Sequence, residues 1–178
     1  DSSNSEHYEK TNNFINNFTC EFEIRQYSFP NLYPHTCIQE MLNDIKCPYS
    51  MFICDDDLLV VKTLRKCVDF LKSNKDFSGV GGISICCNLN VDDYARIDST
   101  WKYKVREIIK KTGKDRVYDL MSNYSVVNYS LTRTEQFQQR WPKDSLNHDK
   151  AIGTELLPCA VLAAQGKVKM LDDLFVVR

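Results

Sequence analysis

The stretch that most constrains the fold is residues 49–87, YSMFICDDDLLVVKTLRKCVDFLKSNKDFSGVGGISICC. Its apolar opening, YSMFIC, predicts a buried strand. Leu64, Cys67, Val68 and Leu71 then follow the i, i+3, i+4, i+7 spacing of an amphipathic helix, and SGVGGISICC predicts a second strand. A strand, a helix and a strand in succession predict an α/β domain with a mostly parallel central sheet and flanking helices.

The rest of the chain is predicted to continue this alternation. Helices are expected over residues 5–18, 36–44 and 101–111, and from about Thr154 to Gly166 with a kink near Pro158. Strands are expected over residues 20–28, within residues 118–133 around Val126 and Val127, and through Phe175 to Val177.

Size and composition limit the function classes. A chain of 178 residues suits one domain, and a net charge of −1 gives no electrostatic basis for a nucleic-acid partner. The eight cysteines lack the spacing of a zinc site, and several lie in apolar runs, which favours reduced thiols in a cytoplasmic protein. No apolar run is long enough to span a bilayer, although peripheral association with the inner face of a membrane is compatible with the sequence.

Three consecutive carboxylates, Asp55, Asp56 and Asp57, follow the predicted strand and form what we call the acidic triplet. Ligands of α/β sheets bind at the carboxyl ends of strands, and an Asp-x-Asp there can hold Mg²⁺ or Mn²⁺ against a diphosphate. One alternative is that the triplet caps the following helix, although one Asp would suffice for that. A second is a divalent-metal phosphohydrolase or phosphotransferase, with Asp55 as nucleophile and Asp57 as acid/base.

The order of motifs resembles the family-two type glycosyltransferases of the GT-A fold, in particular a bacterial subgroup. The resemblance is carried by DSS at the start, YSMFICDDD, the amphipathic helix, GVGG, and the closing ELLPCAVLAAQGKVKMLDDLFVVR. It implies one GT-A domain over 1–178, with a nucleotide- and metal-binding part at 1–89 and an acceptor and catalytic-base part at 90–178. It also implies metal-dependent, inverting transfer from a nucleoside-diphosphate sugar, such as a UDP-sugar, to a hydroxyl of a glycan or other acceptor, as in polysaccharide or glycan biosynthesis.

The resemblance also implies roles for individual residues. Asp1 lies where the family contacts the nucleoside, Asp55 where it contacts ribose or a metal-bound water, and Asp57 where it coordinates the cation. Asp56 and Arg178 join the donor-binding set, Asp55 also joins the metal set, and Arg178 would neutralise diphosphate. Glu155 lies where the family carries its catalytic base.

The alternatives for the base and for the aromatic residues stay open. Glu155 in a first helical turn could instead serve the helix dipole, and Asp149 is the nearest rival for the base role. Several aromatic residues could stack on sugar rings or belong to the core: Trp101, Tyr103, Tyr124 and Trp141.

The chain differs from the family pattern at its start. In the family, a first strand and helix precede the DSS position, and here they are absent. We therefore expect an incomplete nucleotide pocket at the start of the domain. A catalytically inactive binding module is accordingly a third hypothesis, beside the glycosyltransferase and the phosphohydrolase or phosphotransferase.

Overall fold

The computed structural model of the protein describes residues 5–29, 32–93, 95–141 and 151–178. Asp1 and Asp149 lie outside the described residues. The helices are α1 Ser5–Asn17, α2 Pro34–Met41, α3 Val61–Ser73, α4 Gly113–Ser122, α5 Thr134–Gln139 and α6 Leu157–Gln165. A 3₁₀ turn, Leu42–Asp44, extends α2, and a π-helical turn, Ile152–Leu156, precedes α6. The strands are β1 Tyr49–Ser50, β2 Leu58–Leu59, β3 Phe77–Leu89, β4 Ile97–Tyr103, β5 Leu131–Arg133 and β6 Lys167–Val177.

The described strands form one mixed sheet in the order β1-β5-β3-β6-β2, with β4 pairing to β3. Among the described strands only β3 and β6 pair in parallel, so the prediction of a mostly parallel sheet is wrong. β2 pairs antiparallel with β6 and β4 antiparallel with β3, and β5 lies between β1 and β3 and runs antiparallel to both. β1 and β3 therefore run in the same direction, as the strand–helix–strand pattern requires, but they are not neighbours.

Three further local predictions are wrong. Residues 20–28 form no strand, and the strand predicted over residues 49–54 ends at Ser50. The segment 101–111, predicted as a helix, is not helical. Trp101 and its neighbours form the end of β4 and pair with β3, and Ile108 further on forms a β-bridge with Val168.

The strand predicted within residues 118–133 also differs from the structure, because α4 occupies its first part. The N-cap residue Thr112 explains this helix: its side chain accepts a hydrogen bond from the backbone N–H of Asp115. Only Leu131–Arg133 at the end of the predicted segment is a strand.

The core lies on both faces of the sheet. Helix α3 packs its buried Cys67 and Leu71 against Val80 and Phe175. A second cluster joins Ile108, Leu120, Val127 and Val168 to the α6 residues Cys159, Leu162 and Ala163. A Cβ on Gly79 would meet Leu162, while its neighbour Val80 packs toward α3, so α3 and α6 cover opposite faces.

The helices of the described residues are too short or too polar to cross a bilayer.

Candidate functional site

The acidic triplet lies in a tight turn of residues 54–57, which we call the acidic turn. The backbone N–H of Asp57 donates to the carbonyl of Cys54 at 3.3 Å, so Cys54 and Asp57 occupy the first and last positions of a β-turn. Asp55 and Asp56 are exposed, whereas the Asp57 side chain is only 1% exposed. The N-cap of α3 is Val60, and no side chain caps this helix, so the triplet is not a helix cap.

Arg178 supplies the charge partner of Asp57. Its Nε donates to Oδ1 of Asp57 at 3.1 Å, and its guanidinium lies over the rings of Tyr103 and Tyr129. Its backbone is fixed to β3, because its N–H donates to the Ile85 carbonyl at 2.8 Å. Burial lowers the pKa of Arg178, but Tyr129 and Asp57 outweigh this effect and the net shift is upward. Because the guanidinium of Arg178 is fixed beside it, the carboxylate of Asp57 can be buried. Without a positively charged partner, that burial would cost several kcal/mol.

Tyr129 links Arg178 to Cys54. Its hydroxyl accepts a hydrogen bond from Nη2 of Arg178 at 3.0 Å and lies 3.0 Å from Sγ of Cys54. Burial and the hydrogen bond with Cys54 raise the pKa of the Tyr129 hydroxyl, so the phenol stays protonated at neutral pH. Because an arginine can only donate, the phenol keeps its own hydrogen for another acceptor.

The acidic turn offers a set of ligands that fits a metal ion. One ligand atom from each of Cys54, Asp56 and Asp57 lies within 4.8 Å of the other two. Oδ2 of Asp57 is buried and has no hydrogen-bond partner among the described residues. Buried carboxylate oxygens are normally paired, so Oδ2 of Asp57 is suited to bind a cation or a hydrogen-bond donor. Asp55, predicted as a metal ligand, is not a member of this group.

A cavity of about 710 Å³ opens beside the acidic turn. Asp55 and Cys54 line it at one end, together with Phe52, Ile53 and Arg25. A neighbouring cavity of about 500 Å³ shares Phe52, Ile53 and Arg25 with it. These volumes lie in the range of ligand pockets, and the lining is mainly apolar with a few polar groups, as small-molecule sites usually are.

Glu155 lies on the π-helical turn, away from the acidic turn in sequence. The Tyr124 hydroxyl donates to Oε1 of Glu155 at 2.9 Å and approaches Sγ of Cys159. Burial, together with the neighbouring Cys159 and Glu155, raises the pKa of Tyr124, so this phenol remains a donor. The hydrogen bond fixes one carboxylate oxygen of Glu155. The structure records no partner for Oε2 in the described part of the chain. π-helical turns occur often at functional sites.

Asn128 supports the π-helical turn. Pro158 has no N–H to donate to the carbonyl of Thr154 four residues back, and Nδ2 of Asn128 donates to that carbonyl at 3.0 Å. Oδ1 of Asn128 accepts from Nη2 of the fully buried Arg140 at 3.3 Å. Burial lowers the pKa of Arg140 to about 10. The buried amide of Asn128 thus joins the turn that carries Glu155 to the guanidinium of Arg140. The next residue, Tyr129, contacts the acidic turn.

Of the predicted site residues, the structure brings Asp56, Asp57 and Arg178 together, with Asp55 at the adjoining cavity. Glu155 has its own surroundings. Among the aromatic candidates, Trp141 is 2% exposed and packs in the core beside Phe137.

Sequence reasoning missed three contributors to the site, Cys54 and Tyr129 at the acidic turn and Asn128 at the π-helical turn. It named Tyr124 as an aromatic candidate but missed its contact with Glu155. Cys54 had a signal, because residues i and i+3 of a β-turn lie close together. Tyr124, Asn128 and Tyr129 reach their sites from residues 123–130, between α4 and β5, and no local pattern shows these contacts.

No family model matches the sequence, and no curated protein matches it. Solved structures do match, among them the crystal structure of TarS from S. aureus, with a TM-score of 0.48 and 12% identity. The match covers 97% of this chain, and this chain spans 28% of that one. At this TM-score the likeness does not assign a fold family, and the function rests on the site itself.

Proposed function

We propose that this chain is a metal-dependent glycosyltransferase domain of the GT-A type, which moves a sugar from a nucleoside-diphosphate sugar to an acceptor hydroxyl with inversion. The observation that carries the proposal is the acidic turn: it holds a buried carboxylate with an unpaired oxygen, Asp57, and two of its other residues, Cys54 and Asp55, line a cavity of about 710 Å³. A nucleoside diphosphate needs both features, an apolar pocket for the nucleoside and a cation for the phosphates.

The residues of the acidic turn fit the donor. Asp57 and Asp56 would hold Mn²⁺ or Mg²⁺, and Asp55 at the cavity wall would contact the ribose or a metal-bound water. When bound, the cation neutralises the charge that develops on the departing diphosphate. Arg178 orients Asp57 through Oδ1 and leaves Oδ2 for the ion, which is the task of a residue behind a metal ligand. Asp1, outside the described residues, is proposed to contact the nucleoside.

Glu155 is the proposed general base. Inverting transfer needs a carboxylate that takes the proton of the acceptor hydroxyl on the face opposite the diphosphate. Tyr124 holds Oε1 at 2.9 Å, so Oε2 is the oxygen that would receive the proton. We keep the division into a donor part at 1–89 and an acceptor part at 90–178 in the proposal, with Arg178 reaching the donor part from the second segment. A UDP-sugar is the proposed donor, with a glycan or other hydroxyl compound as acceptor.

The geometry gives less support to a phosphohydrolase. In that mechanism Asp57 would deliver a proton to the leaving group. Asp57 instead accepts a hydrogen bond from Arg178, and its side chain is 1% exposed. A catalytically inactive binding module would share the donor site and would differ only in turnover.

The test is a screen of nucleotide sugars for release of the nucleoside diphosphate, with wild type and Glu155→Gln. Loss of a general base is expected to lower turnover by about 10²–10⁴-fold while donor binding stays within about twofold. Glu135→Gln is the matched control, because Glu135 also lies in the first turn of a helix and is exposed. Full turnover in Glu155→Gln would remove the base assignment, and no turnover by wild type with any nucleotide sugar would favour the binding module.

A further inference from the structure

Cys54 distinguishes the acidic turn from a site built of oxygen alone. It stands at the first position of the β-turn that ends at Asp57. Its Sγ lies within 4.8 Å of carboxylate oxygens of both Asp56 and Asp57. Asp55, the remaining carboxylate of the triplet, is outside this group and faces the cavity. The donor set that the turn assembles is therefore one sulfur and two oxygens.

We propose that Cys54 is a third, thiolate ligand of the cation, and that the acidic turn takes Zn²⁺ or Co²⁺ through mixed sulfur and oxygen coordination. The inference rests on the proposed function only in placing a cation at this turn. Sulfur ligands favour Zn²⁺ and Co²⁺ and contribute little to Mg²⁺, which prefers carboxylate, carbonyl and water oxygens. A site of carboxylates alone would not bind Zn²⁺ or Co²⁺ so much more strongly than Mg²⁺.

The surroundings of Cys54 suit a ligand. Nη2 of Arg178 donates to the Tyr129 oxygen, and Sγ of Cys54 lies 3.0 Å from the same oxygen. A Cys54 thiolate can only accept, so the phenol would donate its hydrogen to the sulfur. A hydrogen bond donated to a ligating sulfur is the kind of contact that orients metal ligands in proteins. Arg178 also donates to Oδ1 of Asp57. One arginine therefore organises both buried ligands, Cys54 through Tyr129 and Asp57 directly.

The unpaired Oδ2 of Asp57 is an independent sign of a ligand. It is buried without a partner among the described residues, although the same carboxylate satisfies its other oxygen with Arg178. Asp56 is exposed and can rotate toward the ion. The site thus has two fixed ligands and one adaptable ligand, with further positions open for the oxygens of a diphosphate.

The test is titration of the reduced protein with Co²⁺, followed by optical absorption. Wild type should develop the thiolate-to-cobalt charge-transfer band, Cys54→Ser should lack it, and added Zn²⁺ should abolish it. Cys47→Ser is the control, because Cys47 is an exposed thiol outside the acidic turn. Cys54→Ser should also weaken Zn²⁺ binding by at least about tenfold, with Mn²⁺ affinity changed much less.

A charge-transfer band that persists in Cys54→Ser, or equal Zn²⁺ affinity in both proteins, would overturn the inference. Asp57→Asn separates this outcome from failure of the proposed function. If Mn²⁺-dependent binding of a nucleoside diphosphate needs Asp57 while Cys54→Ser has no effect on Zn²⁺, the donor site stands and the sulfur ligand is wrong. Circular dichroism of each variant verifies that the fold is retained.

Discussion

Asn128 is predicted to stabilise the π-helical turn, because its amide bonds the carbonyl that Pro158, which lacks an N–H, leaves without a helical donor. In Asn128→Ala the carbonyl of Thr154 loses its donor at 3.0 Å, and the buried Arg140 loses an acceptor at 3.3 Å. Nη2 of Arg140 keeps the backbone carbonyl of residue 128 as an acceptor at 3.5 Å, so only the Thr154 carbonyl is left unsatisfied. One such group costs about 1–3 kcal/mol, and the free energy of unfolding should fall by about that amount.

Pro158→Ala supplies the missing donor. With an N–H at position 158, the turn can bond to the Thr154 carbonyl as an ordinary α-helix does, and the amide of Asn128 becomes partly redundant. In this background Asn128→Ala should cost less by about 1–3 kcal/mol, the share that belongs to the carbonyl. The loss at Arg140 should remain, because the second substitution does not touch it.

The assay is urea denaturation of wild type, both single variants and the double variant. The coupling energy is the difference between the cost of Asn128→Ala with proline and with alanine at position 158. Equal slopes with urea in all four proteins are required for the comparison. Effects that add to within about 0.5 kcal/mol would refute the account of the π-helical turn.

Two further predictions concern the sheet and α3. Gly82→Ala should lower the free energy of unfolding by about 1–3 kcal/mol, because its Cβ would lie 2.5 Å from the Asp173 carbonyl oxygen. Gly81→Ala should cost less, because its Cβ would meet the flexible Met170 at 3.3 Å and Phe175 at an ordinary 3.7 Å; equal losses in denaturant titrations would contradict this. Burial raises the pKa of the Cys67 thiol from 9.0 to about 12. The stability that the protonated thiol contributes is therefore complete below pH 9 and is lost as the pH rises toward 12, by at most about 1.4 kcal/mol per pH unit. Unfolding free energies between pH 8 and 10.5 should therefore fall less steeply in Cys67→Ala than in wild type, and parallel curves would be the opposite result.

Periodic segments were predictable because one local pattern determines them. Helix α3 follows from the spacing of Leu64, Cys67, Val68 and Leu71, and the structure places it at Val61–Ser73. β3 and β6 are also confirmed as strands, because each is a long run of strand-forming residues between turn signals. These elements are amphipathic or apolar enough for burial to decide their conformation.

Sheet order and the supports of the site were not predictable, since they depend on contacts between distant residues. β5 is three residues long, yet its position between β1 and β3 adds two antiparallel pairings to the sheet. The contact between Asn128 and Thr154 spans 26 residues, and that between Arg178 and Asp57 spans 121. The acidic triplet could be recognised from the sequence, but the pairing of Arg178 with Asp57 and the link through Tyr129 could not.

The most direct measurement is calorimetric titration of the protein with UDP, with and without Mn²⁺, for wild type and Asp57→Asn. Asp92→Asn, an exposed acid in the loop between β3 and β4, is the control. The account predicts that Mn²⁺ strengthens UDP binding by wild type and by the control, and that Asp57→Asn loses most of this gain while its metal-free affinity stays unchanged. Equal affinity of wild type and Asp57→Asn for UDP in saturating Mn²⁺ would contradict it.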